Sequence, residues 1–364
     1  MIFCERCFCD EEIISIIRNY EIQGECQICK SKDVYTYDTD RFDELSGLFD
    51  ELVSIFTPSR LLPDCFPRAE MKLIKSELLE NWNIFKSCSE VDVYKIITSI
   101  CKDKYQYMPE LFDQPIGLEP LYDEEYLNKH SLLKTHTWKS FVDALKNQNR
   151  FHTNYINLEI LEKFCSYIRK PYKRGSRFYR CRISSEKGLM LSEMGAPPSG
   201  KASEGRANAL GISCLYLSDS VETTIHEVRA SAFDYVTVGT FELQKDIVVV
   251  DLKRINKINP FVGELDFMEH AINKEHLMKI NEELGKTLRR SDSTLDYLPT
   301  QYISDFIKSI KYNGEAEYVG VEYNSVMNAG GNNTAIFDPS LFECVEVCTY
   351  RINDIAYHKR KIDC

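Results

Sequence analysis

Two Cys-x2-Cys pairs, Cys4 with Cys7 and Cys26 with Cys29, are separated by eighteen residues, and they constrain this chain more than any other local feature. Each pair turns tightly enough to aim two thiolates at one tetrahedral ion, so the spacing predicts a structural zinc held by Cys4, Cys7, Cys26 and Cys29. Four thiolates fill the coordination shell and leave no position for water, so such a metal is not catalytic. Cys9 could replace Cys7 in a shifted register, and reduced, unligated thiols remain the simpler alternative. The intervening DEEIISIIRNY reads as a short helix rather than the hairpin of many zinc ribbons. Of 14 cysteines the other nine are scattered, as buried free thiols commonly are.

The 364 residues exceed one ordinary core and suggest two or three domains. With 45 Lys and Arg against 56 Asp and Glu, the formal charge of −11 disfavours a general nucleic-acid surface, although Arg169, Lys170, Lys173, Arg174 and Arg177 could form a local basic patch. No run approaches the roughly 18 apolar residues needed to cross a bilayer. The N-terminal MIFCERCFCDEE lacks the basic and then apolar pattern of a signal peptide, so a cytoplasmic protein is expected.

Helical spacing predicts a helix capped by Asp40 and running to about Phe56, then helices near Ala69–Trp82, Val91–Lys102, Trp138–Lys146 and Asn157–Ile168. The basic stretch RKPYKRGSR reads as a linker near residue 172. Beyond it, strands are expected at Phe178–Ile183, Ile212–Leu217, Tyr235–Leu243, Ile247–Leu252, Tyr318–Tyr323 and Ala335–Phe337. Helices are expected at Ser220–Ala230, Asp266–Asn273, His276–Arg289 and Thr300–Tyr312. The elements do not alternate strictly, and the glycine fingerprints of dinucleotide-binding and P-loop folds are absent, so an α+β domain is the fitting class. The expected division is a zinc-knuckle module over 1–38, an α-helical domain over 39–171 and the α+β domain over 172–364.

Within that last domain, GRANALGISCLYLSDSVETTIHEVRA sets Arg206, Tyr216 and Glu227 on one loop, strand and helix, side chains suited to an anionic, aromatic, sugar-containing ligand. Asp219 reads as the helix N-cap, with Glu222 completing a capping box. Val221, Ile225 and Val228 form the apolar stripe, and Glu227 lies on its flank, where a solvated glutamate is the bland alternative. His226 adjoins Glu227 in sequence but points about a hundred degrees away on a helix, which argues against a His–Glu pair.

Residues 177–338 resemble the RES domain, named for an arginine, a glutamate and a serine. The matching blocks are FYRCR at Arg180, the Gly205–Arg229 stretch, PTQYISDFIK at Pro299–Lys308 and EYNSVMNAGGNNTAIFDP around Ser325. The N-terminal knuckles and helices resemble a segment that precedes some RES domains and is grouped with HEPN-like helical domains. The R-x4–6-H ribonuclease motif is missing, so no nuclease activity is assigned.

The resemblance implies an ADP-ribosyltransferase-like fold and consumption of NAD, by phosphorolysis or hydrolysis of the nicotinamide–ribose bond, in a bacterial toxin or defence effector. It assigns Arg206, Glu227 and Ser325 to catalysis and Arg180, Tyr216 and Lys201 to substrate binding. Glu227 would face the oxocarbenium character that builds on the ribose. Arg180 and Arg206 would engage the pyrophosphate or an incoming inorganic phosphate, and could exchange roles. Tyr216 would stack on nicotinamide or bond the ribose, Ser325 would orient a substrate oxygen or the nucleophile, and Lys201 would add a phosphate contact. Arg180 and Arg182 are two apart and share a strand face, so spacing alone does not choose between them. Transfer of ADP-ribose to a macromolecule and nucleotide sensing without catalysis are the alternatives. Expected partners are NAD, an antitoxin or regulatory protein and, as an open question, a second copy of the chain; neither membrane nor nucleic acid is expected.

Overall fold

A computed structural model describes residues 1–64, 66–68, 71–261, 263–286 and 293–356. The chain divides into two compact units that interleave along the sequence. Unit 1 comprises residues 1–137, 155–160 and 256–277, and unit 2 comprises 138–154, 161–255 and 278–364. Among the described residues no helix is long and apolar enough to cross a membrane.

Unit 1 begins with β1 (Ile2–Cys4), α1 (Glu11–Asn19), β2 (Gln23–Gly24) and β3 (Val34–Asp38). Asp10 caps α1 by accepting from the backbone of Glu12 and Ile13, and Ile13, Ile16 and Ile17 form its buried face. The strands form a small antiparallel sheet of order β1-β3-β2, so the cysteine segment carries the expected helix and also a sheet that its sequence did not announce. Next come α2 (Glu44–Ser54), β4 (Thr57–Pro58), β5 (Lys72–Leu73) and α3 (Ile74–Asn81). Helix α2 starts after Asp43 rather than at Asp40, whose carboxylate pairs with the N-terminal ammonium at 3.1 Å. Residues 69–70 of the helix expected from Ala69 lie outside the described residues. A Ser89–Asp92 capping box opens α4 (Glu90–Ile100). Short elements α5 (Lys102–Tyr107), α6 (Glu110–Asp113), β6 (Pro115–Gly117) and α7 (Glu124–His130) complete this part of the chain. Its core is aromatic, with Phe3, Phe8, Tyr37, Phe49 and Trp82 fully buried.

Unit 2 holds α8 (Trp138–Asn147) and an eight-stranded sheet, and α9 (Leu158–Ser166) has residues in both units. The strands are β7 (Arg169–Tyr172), β8 (Arg177–Ser184), β9 (Leu215–Ser218), β10 (Tyr235–Leu243), β11 (Ile247–Asp251), β14 (Gly320–Asn324), β15 (Asn332–Ile336) and β16 (Phe342–Arg351), with a separate hairpin of β12 (Lys311–Tyr312) and β13 (Glu315–Ala316). The helices are α10 (Val221–Glu227), α11 (Phe267–Leu284), which has residues in both units, and α12 (Leu298–Ser309). Sheet order is β16-β10-β8-β9-β15-β14-β11-β7, and only the β11–β14 pair is parallel. Strands β8 and β9 meet at one registered pair, Tyr179 with Ser218, which makes this the narrowest seam of the sheet.

The α+β class stands, with four differences from the sequence reading. The stretch read as a linker contains β7, an edge strand paired with β11. Lys170 of this strand turns onto a buried acid, its Nζ 2.9 Å from Glu322 Oε1, and Tyr172 Oη also donates to Glu322, while Arg169 pairs with Glu317 and Lys173 with Asp246. Strand β16 was not anticipated, because an edge strand of alternating acidic and small apolar residues has no strong hydrophobic signal. The two helices expected over 266–289 are one helix, α11; residues 287–289 lie outside the described residues. Helix α10 is capped by Ser220, whose side chain accepts from the Thr223 backbone, while Asp219 pairs with Asn332 Nδ2 at 2.7 Å.

Candidate active site

Apolar residues of α10 anchor the site to the sheet. Val221, Ile225 and Val228 pack on Cys181, Val236 and Val238, and Arg229 takes a positive φ of 51° as the helix ends. Glu227, the last helical residue, therefore sits half-buried beside the sheet rather than in the solvent.

Glu227 Oε1 accepts two hydrogen bonds, from Ser325 Oγ at 2.5 Å and Asn333 Nδ2 at 2.7 Å. Asn333 Oδ1 in turn accepts from Ser218 Oγ at 2.8 Å. Ser325 Oγ also accepts from the backbone of Met327 at 3.2 Å and Asn328 at 3.0 Å. A hydroxyl has one donor and two acceptor positions, so that of Ser325 is fully committed. It ties the 325–331 turn to Glu227. Asn328 Nδ2 repeats the tie by donating to Thr223 Oγ1 of α10 at 3.0 Å.

Tyr216 points to the same sheet face, where its hydroxyl donates to Asn208 Oδ1 at 2.6 Å and accepts from the Ala207 backbone at 3.1 Å. These bonds fix the loop immediately after Arg206, and burial holds the Tyr216 hydroxyl well above the usual tyrosine range. Gly205 is required here, since a Cβ would lie 2.6 Å from Tyr216 Oη. Gln301 Nε2 of α12 adds bonds to the carbonyls of Gly205 and Asn208. Arg206 Nη1 donates to the Glu283 carbonyl at 3.1 Å and Nη2 to that of Lys286, with the guanidinium 5.9 Å from the Tyr297 ring centre. Tyr323, which the sequence reading did not select, lies between the two halves of this arrangement. Burial and then the Glu227 charge raise its hydroxyl, while Arg206 opposes them. Its only sequence signal was its place on β14 two residues before Ser325, on the same strand face.

Arg180 and Arg182 leave β8 on the face opposite α10: Arg180 is registered with Gly239, where a Cβ would meet Met194 and Cys344. Arg180 Nη1 donates to the Tyr216 carbonyl at 3.1 Å and Arg182 Nη2 to the Gly195 carbonyl at 2.7 Å, and each Nε is buried with no hydrogen-bond partner among the described residues. Burial, followed by the neighbouring Arg182 charge, pushes Arg180 down to about 10. Lys201 is exposed on the loop that leads to Arg206. His226 faces outward, 3.8 Å from Glu222, and Tyr302 packs edge-on against Phe141.

In unit 1 the Sγ atoms of Cys4, Cys7, Cys26 and Cys29 all lie within 4.8 Å of one another. The separations are 4.0 Å for Cys4–Cys7, 3.5 Å for Cys4–Cys29 and 3.7 Å for Cys7–Cys26. Zn–S bonds of about 2.3 Å in a tetrahedron put sulfurs about 3.8 Å apart, so the cluster fits a closed four-thiolate site. Cys9 points elsewhere, its Sγ 3.1 Å from the Asn83 carbonyl. Burial and the Cys29 thiol push Cys4 up to about 12, and the Cys7 thiol together with burial pushes Cys26 up to about 12. A central dication would reverse that by stabilising the thiolates.

A protein-family model, described as the RES domain, matches residues 177–358. No curated protein and no solved structure matches the chain.

Proposed function

The chain belongs to the RES domain family, and from that premise we propose that it is an NAD-consuming enzyme that cleaves the bond between nicotinamide and ribose. The observation that carries the reading is the carboxylate of Glu227. Its Oε1 is saturated by Ser325 and Asn333, whereas among the described residues none donates to its Oε2, which is left for a ligand.

Breaking the C1″–N bond sends the bonding electrons to the pyridinium nitrogen, which releases neutral nicotinamide and leaves positive charge on the ribose carbon and ring oxygen. A fixed anion beside the ribose stabilises that charge without reorganising during the step. Water or inorganic phosphate then supplies the oxygen of the new bond at C1″ and, if water, loses a proton. The products are nicotinamide with ADP-ribose or with its 1″-phosphate. Arg206 is assigned the diphosphate of NAD or the incoming phosphate, because its fork already spans two carbonyl oxygens that an anion can replace. Arg180 is not given that role, since it leaves the opposite sheet face and serves β9 through the Tyr216 carbonyl. Tyr216 holds the Arg206 loop, and Ser325 holds Glu227 rather than a substrate oxygen. The four-thiol cluster is assigned a structural zinc, which would cross-link the N-terminal segment and take no part in the reaction. Such an activity would deplete a central cofactor, so restraint by an antitoxin or regulatory protein belongs to the proposal.

Incubation of the full chain with NAD, with and without phosphate, separates the outcomes. Free nicotinamide with a phosphorylated ADP-ribose identifies phosphorolysis, and unmodified ADP-ribose identifies hydrolysis. Label on protein identifies transfer, and intact NAD over the whole series overturns the reading.

A further inference from the structure

Beneath α10, four polar side chains form one row across four neighbouring strands. Tyr179 of β8 is registered with Ser218 of β9, Ser218 with Asn333 of β15, and Asn333 with Tyr323 of β14. Residues in direct register share a sheet face, so the row lies on the side where Glu227 descends from α10. Ser218 and Asn333 are 3% and 6% exposed, so neither can exchange its partner for bulk water.

The chemistry of the row allows one assignment. A carboxylate only accepts, so the Asn333 atom at 2.7 Å from Glu227 Oε1 must be the amide nitrogen. The amide oxygen then faces Ser218, whose hydroxyl must donate to it. Ser218 therefore locks the amide in the orientation that presents an N–H to Glu227. This donor comes from the rigid centre of a sheet, whereas the other donor, Ser325, heads a turn.

We propose that Asn333, locked by Ser218, is a positioning residue for the NAD-cleaving reaction: it holds Glu227 through Oε1 and keeps Oε2 directed at the ribose. The inference rests on the proposed role of Glu227 and adds to it a residue that neither the family motif nor the sequence singled out. Without the amide donor, Glu227 loses one of its two partners and its geometry loosens. Binding of NAD, assigned to Arg206, is untouched.

The test uses the full chain with Asn333→Leu, Ser218→Ala, the two combined, and Glu227→Gln. For Asn333→Leu, kcat is expected to fall about tenfold or more with KM for NAD within about twofold. Leucine also strands the Ser218 hydroxyl, so the melting temperature drops for a reason unrelated to catalysis. In the double variant that hydroxyl is gone: the melting temperature is expected to recover while kcat does not. Recovery of kcat together with the melting temperature, or a rise in KM with kcat unchanged in either Asn333 variant, overturns the positioning role. If Glu227→Gln itself turns over at the parent rate, the reading of the site fails first. Loss of turnover in Glu227→Gln beside an unaltered Asn333→Leu overturns only the present inference.

Discussion

Ser325 and Glu227 are 98 positions apart in the chain, yet Ser325 Oγ donates to Glu227 Oε1 at 2.5 Å while accepting two backbone N–H groups of its own turn. The serine hydroxyl therefore ties the carboxylate to its own turn.

Ser325→Ala removes one charge-assisted donor and leaves that of Asn333. Such a bond contributes about 1.5–3 kcal/mol, so kcat should fall about 10- to 100-fold, with less effect on KM. Glu227→Gln should cost more than this. Steady-state kinetics of both variants give the ranking, and equal or reversed losses would show that Ser325 acts in its own right.

Gly331→Ala probes the turn itself. The new Cβ would lie 2.3 Å from Thr223 Oγ1 and 2.8 Å from Thr223 Cγ2, atoms of the helix that carries Glu227. Forcing the turn away from α10 should cost on the order of 1–3 kcal/mol and lower kcat. Thermal melting and turnover measured together check it, and Gly331→Ala combined with Thr223→Gly should regain part of both.

Arg206→Lys replaces a fork that spans two carbonyls by a single ammonium. A rise in KM for NAD of about tenfold or more is expected, with a smaller change in kcat. An unchanged KM would move the anion-binding role to another residue.

For the thiol cluster, elemental analysis should find one zinc per chain in the purified protein. Cys26→Ser should lose it and Cys9→Ser should keep it, because Cys9 Sγ faces the Asn83 carbonyl. Strong chelators should lower the melting temperature of unit 1 without a direct effect on the chemical step.

His270 sets a pH dependence in unit 1. Burial and then the Lys274 charge push it down to about 3 from 6.5, and its ring packs edge-on against Trp82 at 5.5 Å. The folded state thus takes up its proton later than the unfolded state as pH falls. The stability associated with neutral His270 is complete above about pH 6.5 and is lost progressively towards pH 3, on the order of a few kcal/mol. Urea unfolding at pH 7, 5.5 and 4.5 should show the fall, and His270→Phe should flatten it.

Features carried by near neighbours in the chain were legible in its sequence. The cysteine spacing, the α10 stripe of Val221, Ile225 and Val228, and the Tyr235–Leu243 strand depend on turns and periodicities a few residues long. The cap of α10 was misjudged by one residue, because Asp219 and Ser220 are both good caps and the choice fell to Asn332, which engages Asp219 across the sheet. Strand β7 was hidden for a similar reason. Lys170 and Tyr172 look like solvated linker residues until the sheet register brings Glu322 beneath them.

From the sequence alone came the class of the fold, the four clustered thiols and the candidate set of Arg206, Tyr216, Glu227 and Ser325, since local spacing and separated motif blocks are written along the chain. Only the tertiary structure decided how those side chains are hydrogen-bonded and which sheet face each one leaves. A hydrogen bond depends on which strand lies beside which, and in what register. Register put Asn333 next to Ser218 and under Glu227, aimed the Ser325 hydroxyl proton at the carboxylate, and sent Arg180 to the other face of the sheet.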